Sequence, residues 1–96
     1  MLVDISPTQK VTLADEVLHQ DLAGESVLLN LKSEAYFSLD DIGSQMLSAL
    51  LESESIQTAY NRLLEDFEVE PEQLQKDLLA YVEKLVKDEL VKVIDT

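Results

Sequence analysis

Residues 27–43, with the sequence VLLNLKSEAYFSLDDIG, decide the fold because the spacing of their apolar residues changes partway through. As far as Leu39 the apolar side chains alternate with others, which is the period of a β-strand. After Asp40-Asp41 they recur every three or four positions, which is the period of a helix. The stretch therefore predicts two strands joined by a tight turn at Lys32-Ser33-Glu34 and followed directly by a helix.

Three strands are expected before that helix. Two apolar sets share a face of neighbouring strands, Val27, Leu29 and Leu31 in one and Ala35, Phe37 and Leu39 in the next. A shorter strand at residues 17–20 precedes them, and Gly24-Glu25 supplies the turn. We expect an antiparallel meander with one apolar face.

Two helices follow at short spacing. Asp40 or Asp41 can cap the first helix, which ends near Glu52, and Ser53 or Ser55 can cap the second. The second helix carries the clearest amphipathic stripe of the chain, formed by Ile56, Ala59, Tyr60, Leu63, Leu64 and Phe67.

A third helix opens at Glu70-Pro71, because proline suits the first helical position, and runs to about Lys87. Residues 88–94 then return to the core as a short extended tail. The order predicts an α+β fold that is winged helix-turn-helix-like, with a three-stranded antiparallel sheet followed by three helices. We expect residues 1–15 to form an N-terminal arm or edge strand and residues 16–96 to form the domain.

The third helix has more apolar surface than one core stripe needs. Its stripe consists of Leu74, Leu78, Tyr81, Val82 and Leu85. At 100° per residue, Leu79 and Val86 lie roughly 60° beyond the edge of that stripe. This flank is either a wide core face or, with Val82, one wall of a groove. The outer strand of a three-stranded sheet has free N–H and C=O groups, so a groove beside it would suit a peptide that binds as an added strand.

Charge narrows the set of partners. The 96 residues contain 7 Lys+Arg and 20 Asp+Glu, so the net charge is −13. Nucleic acid is not expected as a partner, because its affinity comes largely from basic residues that neutralise phosphates. No stretch is apolar enough for a membrane span, and cysteine is absent, so we expect a cytoplasmic domain without disulfides and without membrane contact.

The residue pattern contains no recognisable catalytic or cofactor motif. His19 is the one histidine, and the carboxylates are scattered along helix faces without a calcium-loop or zinc-binding spacing. The two glycines cannot build a phosphate-binding loop. We therefore expect a non-catalytic protein with no metal and no cofactor.

The run from Val27 to Gly43 resembles the PqqD-like family of peptide chaperones, also called RiPP recognition elements. The family pattern has an apolar strand ending in Asn or Asp, a short turn, a Tyr/Phe pair, and Leu-Asn/Asp followed by Gly three positions later. Asn30, Tyr36-Phe37, Leu39-Asp40 and Gly43 occupy these places. The resemblance covers about residues 16–94. Two departures are Glu34-Ala35 and Asp88-Glu89, since many members have Gly in the hairpin turn and before the final Leu-Val.

The resemblance implies a stand-alone protein that binds the leader of a ribosomally made precursor peptide and presents it to an enzyme. The leader would add as a strand along residues 35–39 and lie against the third helix. The implied leader-binding residues are Ala35, Tyr36, Phe37, Ser38 and Leu39 on the strand, Leu79, Val82 and Val86 on the helix flank, and Glu72, Lys76 and Glu83 at its rim.

The implied enzyme partner is a leader peptidase, as in lasso-peptide systems, or a radical modifying enzyme, as in quinone-cofactor synthesis. The amino-acid sequence of the hairpin slightly favours the lasso-type system. Self-association through the edge strand is a further possibility.

Two alternatives stay open at this point. One is a phosphopantetheine-type carrier protein with Ser44 as the attachment site, although Ser44 is followed by Gln45 where carriers have an apolar residue. The other is a winged-helix transcription regulator, although the second helix has only Arg62 as a basic residue, beside Glu65-Asp66.

Overall fold

A computed structural model describes residues 5–22 and 25–95, so the predicted turn at Gly24 lies partly outside the described residues. The elements in chain order are β1 (Lys10–Leu13), β2 (Val17–Leu22), β3 (Glu25–Asn30), β4 (Ala35–Leu39), α1 (Asp41–Glu52), α2 (Ile56–Asp66), α3 (Pro71–Lys87) and β5 (Val91–Ile94). A three-stranded antiparallel sheet of order β2-β3-β4 precedes the three helices, which confirms the predicted α+β architecture.

The register of the β3–β4 hairpin reverses one predicted face. Leu28 pairs with Phe37 and Leu29 with Tyr36, so Leu29 and Phe37 lie on opposite sides of the sheet. The prediction of one shared apolar face is therefore wrong. Four residues, 31–34, separate the strands instead of three, and a shift of one residue moves a whole set of side chains to the other face. Leu28 is fully buried and faces the helices.

Side-chain caps fix the helix starts. The Asp40 carboxylate accepts from the Gly43 N–H at 2.7 Å at the start of α1, and the Ser55 hydroxyl accepts from the Thr58 N–H at 3.2 Å at the start of α2. Pro71 occupies the first turn of α3. These three starts agree with the sequence prediction, as does the end of α3 at Lys87.

Strands at the two ends of the chain form a second, two-stranded sheet. β1 pairs antiparallel with β5, with Val11 opposite Val93, and Val11 is buried in the core. The Lys10 ammonium donates to the carbonyls of Leu51 at 2.8 Å and Ser53 at 2.6 Å, where it offsets the negative end of the α1 dipole. In this sheet β1 contacts α1 and β5 contacts α3, and the sequence did not predict the pairing.

One apolar core joins both sheets to the helices. Its fully buried side chains are Val11, Leu28, Leu47, Leu50, Leu63, Leu78, Val82 and Leu90. Among the described residues, no helix combines the length and apolar character that crossing a membrane requires.

Two glutamates occupy backbone positions that favour glycine. Glu34 in the β3–β4 turn has φ 61° and Glu89 after α3 has φ 60°. At Glu89 the α3 end forms a Schellman motif, in which the Leu90 N–H donates to the Leu85 carbonyl at 2.9 Å and the Glu89 N–H to the Val86 carbonyl at 3.0 Å. These are the two places where the sequence departs from the glycines of the family pattern, and the glutamates adopt the left-handed conformation there.

Candidate functional site

β4 is an outer strand of its sheet. It pairs with β3 on one side, and no described strand pairs with it on the other. An unpaired edge presents backbone donors and acceptors in a row, which is the requirement for adding a peptide strand.

The direction of the free backbone groups follows from one hydrogen bond. The Leu31 N–H donates to the Glu16 carbonyl at 2.8 Å, so the backbone groups of Leu31 point toward the β2 side of β3. Because successive residues of a strand point their backbone groups to alternate sides, those of Asn30 point toward β4. Asn30 pairs with Ala35, and the alternation continues along β4. The N–H and C=O groups of Tyr36 and Ser38 therefore face the free edge.

Two side-chain hydrogen bonds tie α3 to the parts of the chain that come just before and just after β4. At one end the Tyr81 hydroxyl donates to the Gly43 carbonyl at 3.0 Å, just past the end of β4. At the other end the Asn30 side-chain amide donates to the Glu89 carbonyl at 3.4 Å, just before β4 begins. These two contacts place the C-terminal part of α3 near both ends of β4.

The inward side chains of β4 and one flank of α3 are the residues that could line a groove beside the free edge. On the strand side, Phe37 and Leu39 are half-buried and packed against the core. On the helix side, Tyr81 is half-buried, and its flank at 100° per residue also carries Lys84 and Asp88. A groove lined by these residues would have an apolar base and one charge of each sign at its margin.

Tyr81 is held in its neutral form. Burial of the phenol, and then the nearby Asp40 carboxylate, raise the pKa of Tyr81 to about 12. Gly43 leaves room for this contact, because a Cβ at that position would lie 3.2 Å from the Tyr81 hydroxyl oxygen. The tyrosine can therefore act as a fixed hydrogen-bond donor and apolar wall at the end of the groove.

The predicted strand residues and the predicted helix flank lie on different sides of α3. Leu79 lines a small apolar recess together with Pro7, Gln57 and Tyr60, away from β4. By helical phase Val86 belongs to the same side, whereas Tyr81 faces the strand. The structure therefore places Leu39 and the Tyr81 hydroxyl together beside Gly43, and it puts Leu79 on the other flank of α3.

The remaining predicted helix residues do not line the groove. Val82 is fully buried and belongs to the core, so it has no surface to offer a ligand. Glu72, Lys76 and Glu83 are exposed on the solvent side of α3. The sequence did not predict Tyr81, Lys84 and Asp88 as site residues, because Tyr81 fits the core stripe equally well. A tyrosine at the edge of that stripe was the available signal, since its hydroxyl needs a polar partner.

The structure does not support the carrier-protein or the transcription-regulator alternative at the residues on which each depends. The Ser44 hydroxyl oxygen is buried inside the described structure, which leaves no access for an attached arm. Arg62 is engaged with Glu52 at 3.3 Å, and it is the one basic residue of α2. Across residues 5–22 and 25–95, no cluster of three or more His, Asp or Glu side chains is placed to hold a metal ion.

Comparison with known proteins gives one family and two similar structures. The model of the PqqD family, described as coenzyme PQQ synthesis protein D, matches residues 25–91. The structure "TbiB1 in Complex with the TbiA(beta) Leader Peptide" is 28% identical with TM-score 0.78, covering 83% of this chain and 93% of that chain. "Lasso peptide synthetase B1 complexed with the leader peptide" is 24% identical with TM-score 0.79, covering 86% and 98%. The curated proteins give no match.

Proposed function

We propose, from the premise that this chain belongs to the PqqD family, that it binds the leader segment of a ribosomally synthesised precursor peptide as a strand added to β4. The observation that carries the proposal is the free edge of β4, with Tyr81 of α3 held just past its end by the hydrogen bond to Gly43. The 28% identical TbiB1, which is in complex with a leader peptide, supports it. The domain itself performs no chemistry in this proposal and presents the precursor to a separate enzyme.

The added strand would use both the backbone and the groove. The backbone groups of Tyr36 and Ser38 offer four ladder hydrogen bonds, each worth about 1 kcal/mol net, or about 4 kcal/mol together. Micromolar affinity requires about 8 kcal/mol, so side chains of the leader must supply the rest and offset the ordering of the peptide. Alternate leader side chains would enter the groove against Phe37 and Tyr81, with Lys84 and Asp88 selecting charge at its margin.

Leader contact with the Leu79 and Val86 flank of α3, which the sequence predicted, is a separate prediction. Contacts at Leu79, Val86, Glu72, Lys76 and Glu83 would require the leader to continue past the groove and across the solvent side of α3. We propose the β4 edge and the Tyr81 side of α3 as the primary site.

We further propose that the enzyme partner is a leader peptidase of a lasso-type system rather than a radical enzyme. The hairpin sequence at residues 27–43 favours this choice, and the partner works in the cytoplasm where precursor peptides are made.

A fluorescence-polarisation titration with the labelled leader of the neighbouring precursor gene tests the function and the site together. Tyr81→Ala and Leu79→Ala form a matched pair, because both side chains are half-buried on α3 but lie on opposite flanks. We expect Tyr81→Ala to weaken binding at least tenfold and Leu79→Ala to stay within twofold of wild type. The reverse pattern would move the site to the Leu79 flank. No wild-type binding at tens of micromolar would reject leader binding.

A further inference from the structure

The outer face of the three-stranded sheet is unusually apolar. A solvated face of an antiparallel sheet is ordinarily polar, since only the other face packs on the core. Here Leu18 is 45% exposed and Tyr36 is 70% exposed, and they flank the half-buried Val27 and Leu29. Register places Leu18 opposite Leu29 and Leu29 opposite Tyr36, so one apolar row crosses all three strands.

Acidic residues border this row. Glu25 lies at one end of the outer face, and alternation places Glu16 at the other, just before β2. Between them the described side chains of the outer face carry no charge, although 28% of the residues in the chain are charged. Such a face suits a protein surface with an apolar centre and a basic rim.

The face is continuous with the proposed leader site. Tyr36 belongs both to the outer row and to the strand whose backbone would pair with the leader. A strand added to β4 would point half of its side chains to the outer face, next to Tyr36. The bound leader and the sheet would then form one surface, which a second protein can contact as a unit.

We infer that this outer face, defined by Leu18, Val27, Leu29 and Tyr36, is the docking surface for the enzyme that processes the bound precursor. The inference rests on the proposed function. The occupant is a protein with a basic rim, because a second copy of the chain would bring another net charge of −13 against the first. Leader binding enlarges the surface, so the enzyme binds the leader-loaded domain more tightly than the empty one.

Leu18→Lys tests this inference without touching the leader site. Leu18 lies on β2, two strands or about 10 Å from β4, so the free edge and the groove stay intact. Lysine places a charge in the apolar centre and opposes a basic rim. Val69→Lys is the matched control, because Val69 has the same 45% exposure but lies in the segment between α2 and α3.

The measurement is biolayer interferometry with the purified leader-processing enzyme encoded beside the precursor gene, against empty and leader-loaded domain. We expect the wild type to bind the enzyme more tightly when it is loaded with leader. Leu18→Lys should lose at least tenfold in affinity for the enzyme, while its affinity for the leader stays within twofold of wild type. Val69→Lys should lose no affinity for the enzyme.

Equal enzyme binding by wild type and Leu18→Lys overturns the inference. So does sedimentation that shows a wild-type dimer which Leu18→Lys dissociates, because the face would then hold a second copy. If the wild type does not bind the leader, the proposed function is rejected instead. The titration of the enzyme against the empty domain, with wild type and Leu18→Lys, would still show whether the outer face is the docking surface.

Discussion

A proline at Ser38 should weaken leader binding strongly while the domain stays folded. The Ser38 N–H faces the free edge, because Asn30 and Ala35 pair through groups that point inward and the alternation continues to Ser38. Proline lacks this donor and is tolerated in edge strands where the N–H faces solvent. The inner β3–β4 hydrogen bonds therefore survive in Ser38→Pro.

The cost in binding has two parts. A leader carbonyl loses its donor and is left unpaired in the interface, which costs about 1–3 kcal/mol. The pyrrolidine ring adds a steric clash where the incoming strand must approach to about 4.8 Å. We expect the affinity to fall by about 10- to 200-fold in fluorescence polarisation, with urea denaturation giving a stability within about 1.5 kcal/mol of wild type.

Asp21→Pro is the matched control on the opposite edge of the same sheet. By the same alternation the Asp21 N–H points away from β3, and Asp21 is exposed. This variant loses the Ser26–Asp21 hydrogen bond of 2.7 Å and a little stability, but it should bind leader as the wild type does. Wild-type binding by Ser38→Pro, or lost binding by Asp21→Pro alone, would refute the assignment of the edge. An unfolded Ser38→Pro would refute the derived direction of its N–H group.

Three further predictions concern stability. Glu89→Gly should raise the unfolding free energy by about 0.5–1 kcal/mol in urea denaturation, because φ is 60° there, whereas Gly at the exposed helical Glu83 should lower it by a similar amount. Lys10→Met should lower the unfolding free energy by about 1–2 kcal/mol, because the carbonyls at the end of α1 lose the ammonium group that donates to them. Added salt should not restore the lost stability. Folding raises the pKa of Tyr81 from 10.0 to about 12, so the folded state holds this proton more tightly and stability falls as the pH rises through that window. Tyr81→Phe should remove that fall and the last step of the 295 nm absorbance titration; an unchanged titration would assign the late step to another tyrosine.

The helices could be predicted from the sequence because local chemistry determines their ends. Asp40, Ser55 and Pro71 act on backbone groups within a few residues, and the structure places each at the predicted start. The end of α3 also follows from local signals, although Glu89 stands where glycine is usual.

The sheets could be predicted only in part. The β3–β4 turn has four residues with Glu34 in a left-handed conformation, and nothing in the residue types distinguishes it from a three-residue turn that would reverse the face. The β1–β5 pairing joins Lys10–Leu13 to Val91–Ile94, nearly the whole chain apart, and no local signal encodes it.

The candidate site could also be predicted only in part. The free edge of β4 follows from strand order, which the sequence predicts. Helical phase gives the angle between Leu79 and Tyr81 but not which neighbour lies on each side of α3. That choice is made by tertiary contacts, the Tyr81–Gly43 and Asn30–Glu89 hydrogen bonds, which no local pattern contains.

Amide hydrogen exchange, followed by NMR with and without saturating leader peptide, tests strand addition to β4 most directly. We predict that the Tyr36 and Ser38 amides, which face the free edge, exchange at least tenfold more slowly in the complex. The His19 and Asp21 amides on the opposite edge should keep their rates. Unchanged exchange at Tyr36 and Ser38 in a demonstrated complex, or protection at His19 and Asp21 instead, would contradict strand addition to β4.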